Sequence, residues 1–256
     1  MALPKNSNRH VRDGVKLHLR CRRIGGFDWR LVTLRPATQV ALSTNRFHGT
    51  WHILSNVSGC VALARLMWWL SWQKQPGTCI LIHGEHIRRE PFDGSRSDPV
   101  LLTRWADTPT TEKPLRALKD SLGRLGPPDK TLRARIVGIE DHDPRAALGP
   151  GWWRQLGREA VQRRGGIVVY RAAPAELRCA ASMVYRVRPT WMGTGYHYLG
   201  DDRSGEVQCF TDYFRRLKAA EAARQQVLSG DPPADPADLQ QRIWARTERL
   251  RRTLPR

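Results

Sequence analysis

Acid is scarce in this chain. Its 256 residues hold 24 Asp and Glu against 43 Lys and Arg, a formal charge of +19. A surface that one-sided repels itself when compact and disfavours cationic partners; a polyanion is the default expectation. Lysine is scarce as well, since 7 of those cations are Lys and 36 are Arg, which is also what a biased base composition would leave on an inert surface. Cysteine is sparse and scattered: Cys21, Cys60, Cys79, Cys179 and Cys209 are odd in number and never form a CxxC pair. That excludes a disulfide framework and a structural zinc site, and leaves Cys60, Cys79 and Cys179 as small core residues. Long apolar runs are missing. The longest, Val61 to Trp72, includes Arg65 and is too short to span a bilayer. The opening MALPKNSNRHVRD lacks the apolar stretch of a secretory signal, so a cytoplasmic location and no membrane partner are expected. There is no GxxxxGK[ST] loop, no GxGxxG after a strand and no GxSxG elbow, which disfavours P-loop, dinucleotide-binding and serine-hydrolase chemistry.

What is present is a folded α/β (or α+β) chain, 40% apolar with ten Trp. From Gly14 to Arg22, Val15, Leu17, Leu19 and Cys21 alternate with Lys16, His18, Arg20 and Arg22, the pattern of a strand with one buried face and one row of cations. Gly25-Gly26 turns the chain into a second strand over Trp29–Arg35, ended by Pro36, and Gln39 to Ser43 is expected to extend the same sheet. A buried helix with Ser58 at its N-cap runs from Gly59 to about Gln73, followed by a strand over Thr78–Ile82 and another over Val100–Thr103. Leu115, Leu118, Leu122 and Leu125 mark an amphipathic helix, with Pro114 in its first turn. Ile136, Val137 and Ile139 read as a buried strand, then a helix carries Trp153, Leu156 and Ala160 inward, and Ile167–Tyr170 returns as a strand. Strand, helix and strand with short links form a βαβ unit, so a mainly parallel central sheet is expected. A helix over Glu176–Val187 is ambiguous, and Pro189 to Gly205 reads as a Gly- and aromatic-rich loop. Taken together the pattern predicts a mixed sheet with an N-terminal antiparallel hairpin, a central βαβ section and C-terminal helices. Its sections are 1–56 (basic antiparallel β), 57–203 (α/β core), 204–229 (helix with Val207, Phe210, Phe214 and Leu217 on one face), 230–238 (linker) and 239–256 (basic helix).

Two sets of residues carry chemistry. The first is cationic: Lys16, His18, Arg20, Arg22, Arg23 and Arg30 on the N-terminal sheet, with Arg242, Arg246 and Arg249 on the last helix. Such ladders neutralise phosphates, and Trp29 and Phe27 nearby offer rings for stacking a base. The second is the acidic run Glu140-Asp141-His142-Asp143 after Ile136–Ile139. Glu85 follows another strand, and an acid joined to an Asp-x-Asp pair is a set of oxygen ligands for Mg²⁺ in phosphoryl transfer. The run is equally an ordinary turn or helix start before Pro144.

ILIHGEH (Ile80–His86) together with IVGIEDHDPRAA (Ile136–Ala147) resembles the Toprim domain of primases, topoisomerases and some nucleases. That resemblance implies Mg²⁺ held by Glu85, Asp141 and Asp143, although Glu85 follows Gly84 where the family's Glu precedes it. Asp141 and Asp143 with GTGYH (Gly193–His197) also resemble the archaeo-eukaryotic primase–polymerase pattern. There the two carboxylates would hold metal, His197 would contact a nucleotide phosphate, and Asp202 or Asp212 would be the third acid. Two readings follow. One is a nucleic-acid-binding protein (DNA or RNA), or a subunit among other protein subunits of a nucleoprotein assembly. The other is a Mg²⁺-dependent nuclease or nucleotidyltransferase with Asp141 and Asp143 as metal ligands. A third reading gives the cations to an acidic protein partner.

Overall fold

The computed structural model describes residues 14–105, 108, 110–144, 146, 160–200, 203–230 and 232–254. Strand β1 (Val15–Ile24) keeps the alternation read from its sequence as far as Leu19, with Leu17 and Leu19 buried; Cys21, expected on the same face, is exposed. Gly25 and Gly26, at φ 60° and 85°, return the chain antiparallel as β2 (Phe27–Leu34). The left-handed region costs a residue with a Cβ roughly 1–2 kcal/mol, which explains two glycines in this turn. There follow β3 (Ser43–Phe47), β4 (Thr50–Ser55), α1 (Val57–Ser71), β5 (Thr78–Ile82), β6 (Val100–Arg104), α2 (Glu112–Ser121) and β7 (Lys130–Ala134). The chain continues with β8 (Ala160–Arg164), β9 (Ile167–Ala172), α3 (Pro174–Arg186), β10 (Thr194–Leu199), β11 (Gly205–Phe210), α4 (Tyr213–Ser229) and α5 (Pro236–Thr253).

The fold is α/β, built on two mixed sheets. The first has the order β7-β1-β2-β5-β6-β9-β8 and the second the order β10-β11-β4-β3. Three buried clusters define the layers. Leu115 and Leu118 of α2 pack with Trp29, Leu31, Leu81, Leu101 and Val169 on one face of the first sheet. The other face of that sheet, through Val32, Ile80 and Leu102, shares one core with α1, α3 and the inner face of the second sheet at Ile53, Val207 and Leu199. On the outer face of the second sheet, Leu54 and Phe210 meet Tyr213 and Leu217 of α4. Helix α1 lies between two sheets, which is why its sequence is apolar nearly all round. Each fully buried Leu contributes about 1.5–3 kcal/mol, so the shared core dominates the stability. The two sheets touch at Gly205, where a Cβ would lie 2.1 Å from Cγ2 of Val161 on β8. Only glycine fits that approach.

Several expectations change. The Ile136–Ile139 segment is not a strand: Val137 is 80% exposed, and β7 lies just upstream, where Leu132 and Ala134 pair across from Leu17 and Val15. The central sheet is not mainly parallel, because β2–β5 and β6–β9 are its parallel pairs and the other four neighbours are antiparallel. Residues 39–43 do not extend the first sheet; β3 belongs to the second, so the 1–56 section is divided between two sheets. The helix expected from Gly205 starts at Tyr213, after β11, whose Val207 and Cys209 face the core by period-2 alternation; Phe214 is half exposed. The 189–205 loop contains β10, and Ala160 opens β8 rather than closing a helix. Trp153 and Leu156 lie outside the described residues. Asn56, not Ser58, caps α1, its side-chain oxygen accepting from the Gly59 N–H at 2.9 Å. Among the described residues no helix is long and apolar enough to cross a membrane.

Candidate functional site

Helix α2 covers the first sheet from the Ile24 end of β1 to β9, residues 125–129 lie over Arg20 and Arg22, and the Lys16–Arg133 end of the β7–β1 margin is left open. The alternation that buries Leu17 and Leu19 against the shared core turns Lys16, His18, Arg20 and Arg22 toward this margin. Register adds cations from neighbouring strands. Arg133 of β7 stands directly across from Lys16, and Arg35, one residue past β2, lies close enough to influence His18. His83, just after β5, joins the same field. Burial first, then the Arg20 and Arg35 guanidiniums, hold the His18 pKa below the ordinary imidazole value. For His83 the causes are burial, then Arg20, then His86. Both imidazoles therefore favour the neutral form in a field of positive potential.

Two cations on this face are tied to the chain that follows α2. Arg20 donates to the Gly126 carbonyl at 2.9 Å and to Thr33 Oγ1 at 2.7 Å. Arg22 donates to the carbonyls of Leu125 (2.9 Å) and Pro127 (2.6 Å) and pairs with Asp129 at 2.7 Å. Asp129 also accepts the Cys21 N–H, and these bonds hold its carboxyl below the usual range. Arg20 and Arg22 thus fasten the 125–129 segment that follows α2. Lys16 and Arg133 are exposed, and His18 and Arg35 are half-buried. Arg23 pairs with Asp28 at 3.3 Å in full solvent, and Arg30 reaches Cys21 Sγ at 3.7 Å while its Nε is buried without a partner.

On α5, Ile243 and Thr247 are buried, and Arg242, Arg246 and Arg249 occupy the exposed side. Arg246 bonds Gln226 of α4 at 2.6 Å. Arg251 bridges Asp212 and Glu248. The last helix is a roof docked on α4, with one cationic surface turned outward.

The acidic run does not assemble with its expected partners. Asp141 and Asp143 are exposed in the turn after Ile139. Glu85 is exposed in a single 3₁₀ turn, Gly84–His86, and β1 and β2 separate β5 from β7 in the sheet. His197 sits on β10 of the second sheet, opposite Val207, where burial lowers its pKa to about 4. Asp212 stands at the N-cap of α4; burial raises its pKa, but the bonds from Arg216 and Arg215 outweigh this and hold it low. Asp202 lies outside the described residues. Among the described residues, no group of three or more His, Cys, Asp or Glu side chains comes together in a way that could hold a metal ion. The turn has a structural account instead. Glu140 accepts the Tyr185 hydroxyl at 2.7 Å, Arg186 of α3 donates to the carbonyls of Glu140 and His142, and Trp68 of α1 donates to the Val137 carbonyl.

Arg133 and His83 stand on this face and were missed by sequence reading, whereas Arg35 closes the basic ladder of the N-terminal section. The signal for Arg133 was the Leu132/Ala134 alternation. Arg35 and His83 follow directly on apolar strands. Comparison with family models, with curated proteins and with solved structures found no match to this chain.

Proposed function

We propose that the protein binds nucleic acid through the phosphate backbone, at the open margin of the first sheet. One observation carries this reading: Lys16 and Arg133 stand opposite each other, Arg20 and Arg35 flank the imidazole of His18, and Asp129, the carboxylate beside Arg20, is paired with Arg22. Like charges placed together cost free energy in the lone protein, and a polyanion relieves that cost by releasing its counterions. The cations come from rigid strands, so little side-chain order is lost on binding compared with a loop or tail. The outward Arg242, Arg246 and Arg249 of α5 supply a second, weaker cationic surface for a long strand or an acidic subunit.

The test is a fluorescence-anisotropy titration of labelled single- and double-stranded DNA and RNA across a salt series. Binding at low salt is expected, with log K falling linearly in log salt. Lys16→Ala/Arg35→Ala/Arg133→Ala should lower the slope by about 2–3, since each phosphate contact contributes about 0.7–0.9. Absence of binding at low salt, or an unchanged slope in the variant, would overturn the reading.

A further inference from the structure

On the outer face of the second sheet, under α5, lies a cavity of about 390 Å³. Strand register puts Asn45 of β3, His52 of β4 and Gln208 of β11 on that face, since Asn45 stands opposite His52, and His52 opposite Glu206, two residues before Gln208. Asn45 spends both polar atoms of its side chain inside the protein. Its Nδ2 donates to Glu90 Oε1 at 2.7 Å, so Oδ1 is the atom 2.8 Å from His52 Nδ1 and accepts from it. His52 therefore carries its ring proton on Nδ1 and keeps Nε2 as an acceptor. Burial first, then neighbouring His48, favours that neutral ring.

Among the described residues Nε2 has no partner. His52 is only 6% exposed, yet this nitrogen keeps accessible surface, unlike the Trp244 indole N–H and the Thr247 hydroxyl, which are sealed off. The imidazole lines the cavity, so that surface opens into it. Gln208 repeats the pattern: its amide N–H donates to Glu206 at 2.7 Å, and its side-chain carbonyl stays accessible with no partner among the described residues. Both polar groups that the floor offers a ligand are acceptors. The remaining wall is apolar, made of Phe92 and of Phe47 packed edge-on against Trp244. Water held there lacks most of the partners that an ordered water needs, so an apolar molecule displaces it with little loss. An anion would face acceptors alone. A cation would meet Arg216 over the Phe92 ring and Arg251 beside Glu248 at the rim. The space suits a neutral donor.

We propose that this cavity binds a neutral, largely apolar small molecule of the phenol or indole class, which donates a hydrogen bond to His52 Nε2. The ligand lays its apolar body against Phe92 and the joint Phe47–Trp244 wall and turns its O–H or N–H to the sheet. The size fits, because small-molecule sites run from about 300 Å³ upward and are mostly apolar with a few placed polar groups. None of these residues belongs to the basic margin of the first sheet, so neither proposal depends on the other.

The test titrates the full chain with phenol and indole by calorimetry, and with anisole, which keeps the ring and the oxygen of phenol but has no donor. Phenol or indole should bind with a Kd below about 2 mM. Anisole should bind about fivefold more weakly than phenol, the worth of one hydrogen bond. His52→Phe, which keeps a ring and removes the acceptor, should erase that difference between the two. Should the variant fail to fold, imidazole nitrogen NMR of the wild type decides: phenol should move the His52 Nε2 resonance and anisole should leave it in place. Failure of both phenol and indole to bind below about 2 mM, equal affinity for phenol and anisole, a difference that survives in folded His52→Phe, or a His52 Nε2 resonance indifferent to phenol would each overturn the proposal.

Discussion

The two outer sheet faces start from the same sequence grammar and end in opposite electrostatic states. On β1, as on β3, β4 and β11, alternate residues are polar and turn away from the shared core. The β1 row is left near water, so Lys16 and its neighbours stay charged and their field accumulates. The second row is roofed by α4, α5 and the Glu90–Gly94 turn, and its groups are pushed toward neutrality. Burial, then Asp93, raises the Glu90 pKa to about 8; burial also raises that of Glu206 and lowers that of His52. Alternation places polar groups on a face, and what covers that face decides whether they stay charged.

The largest expected effect tests the roof. Ile243 is 1% exposed, and Ile243→Ala should cost about 2–4 kcal/mol, felt first as faster hydrogen exchange in α5. Equal slowing or speeding across all five described helices would instead make α5 part of the global unit and weaken the contrast between the faces.

Glu90 comes next. Its folded pKa lies above the unfolded value of 4.5, so the folded state binds the extra proton. Its stabilising contribution is full below that value and is lost as pH rises toward about 8. Wild-type stability should fall by a few kcal/mol over that window, and Glu90→Gln should flatten the profile. Chemical denaturation at a series of pH values checks it, and parallel curves would show that Glu90 does not set the charge state of the roofed row.

On the open face, Arg22→Ala should lose about 1–3 kcal/mol through its bonds to the 125–129 segment, whereas Lys16→Ala should stay within about 0.5 kcal/mol. Comparable losses would mean that the basic row is built for stability throughout. The smallest effect is expected at Asp141→Ala with Asp143→Ala: under about 0.5 kcal/mol in stability and no loss of nucleic-acid affinity. A Mg²⁺-dependent cleavage or polymerisation activity in the wild type that this variant lacks would instead install the phosphoryl-transfer reading.

The elements that were legible in the sequence carry a single unambiguous period. Val15–Arg22 alternates cleanly, Gly25-Gly26 can only be a turn of left-handed residues, and Leu115 with Leu118 marks the face that α2 buries. Errors came where one apolar set fits two structures. Val207, Phe210, Phe214 and Leu217 match a helical stripe, yet Val207 pairs with Ile53 of β4 and Phe210 with Thr194 of β10, so the first two lie in a strand and the choice rests on partners remote in the chain. Ile136, Val137 and Ile139 satisfy a strand locally, but the ladder with β1 is taken by Lys130–Ala134, and Trp68 and Arg186 tie the following backbone into a turn. The basic row was largely visible, because β1 displays its cations in sequence and Arg35 follows β2, while Arg133 joins only through register.

Helix α5 gives no residue to any of the three buried clusters and docks on α4 through Ile243 and Thr247. The last helix and the sheets are therefore written in separable parts of the chain. The outward residues of α5 can change with both sheets left intact, so the last helix is where sequence divergence would leave the least trace in the core.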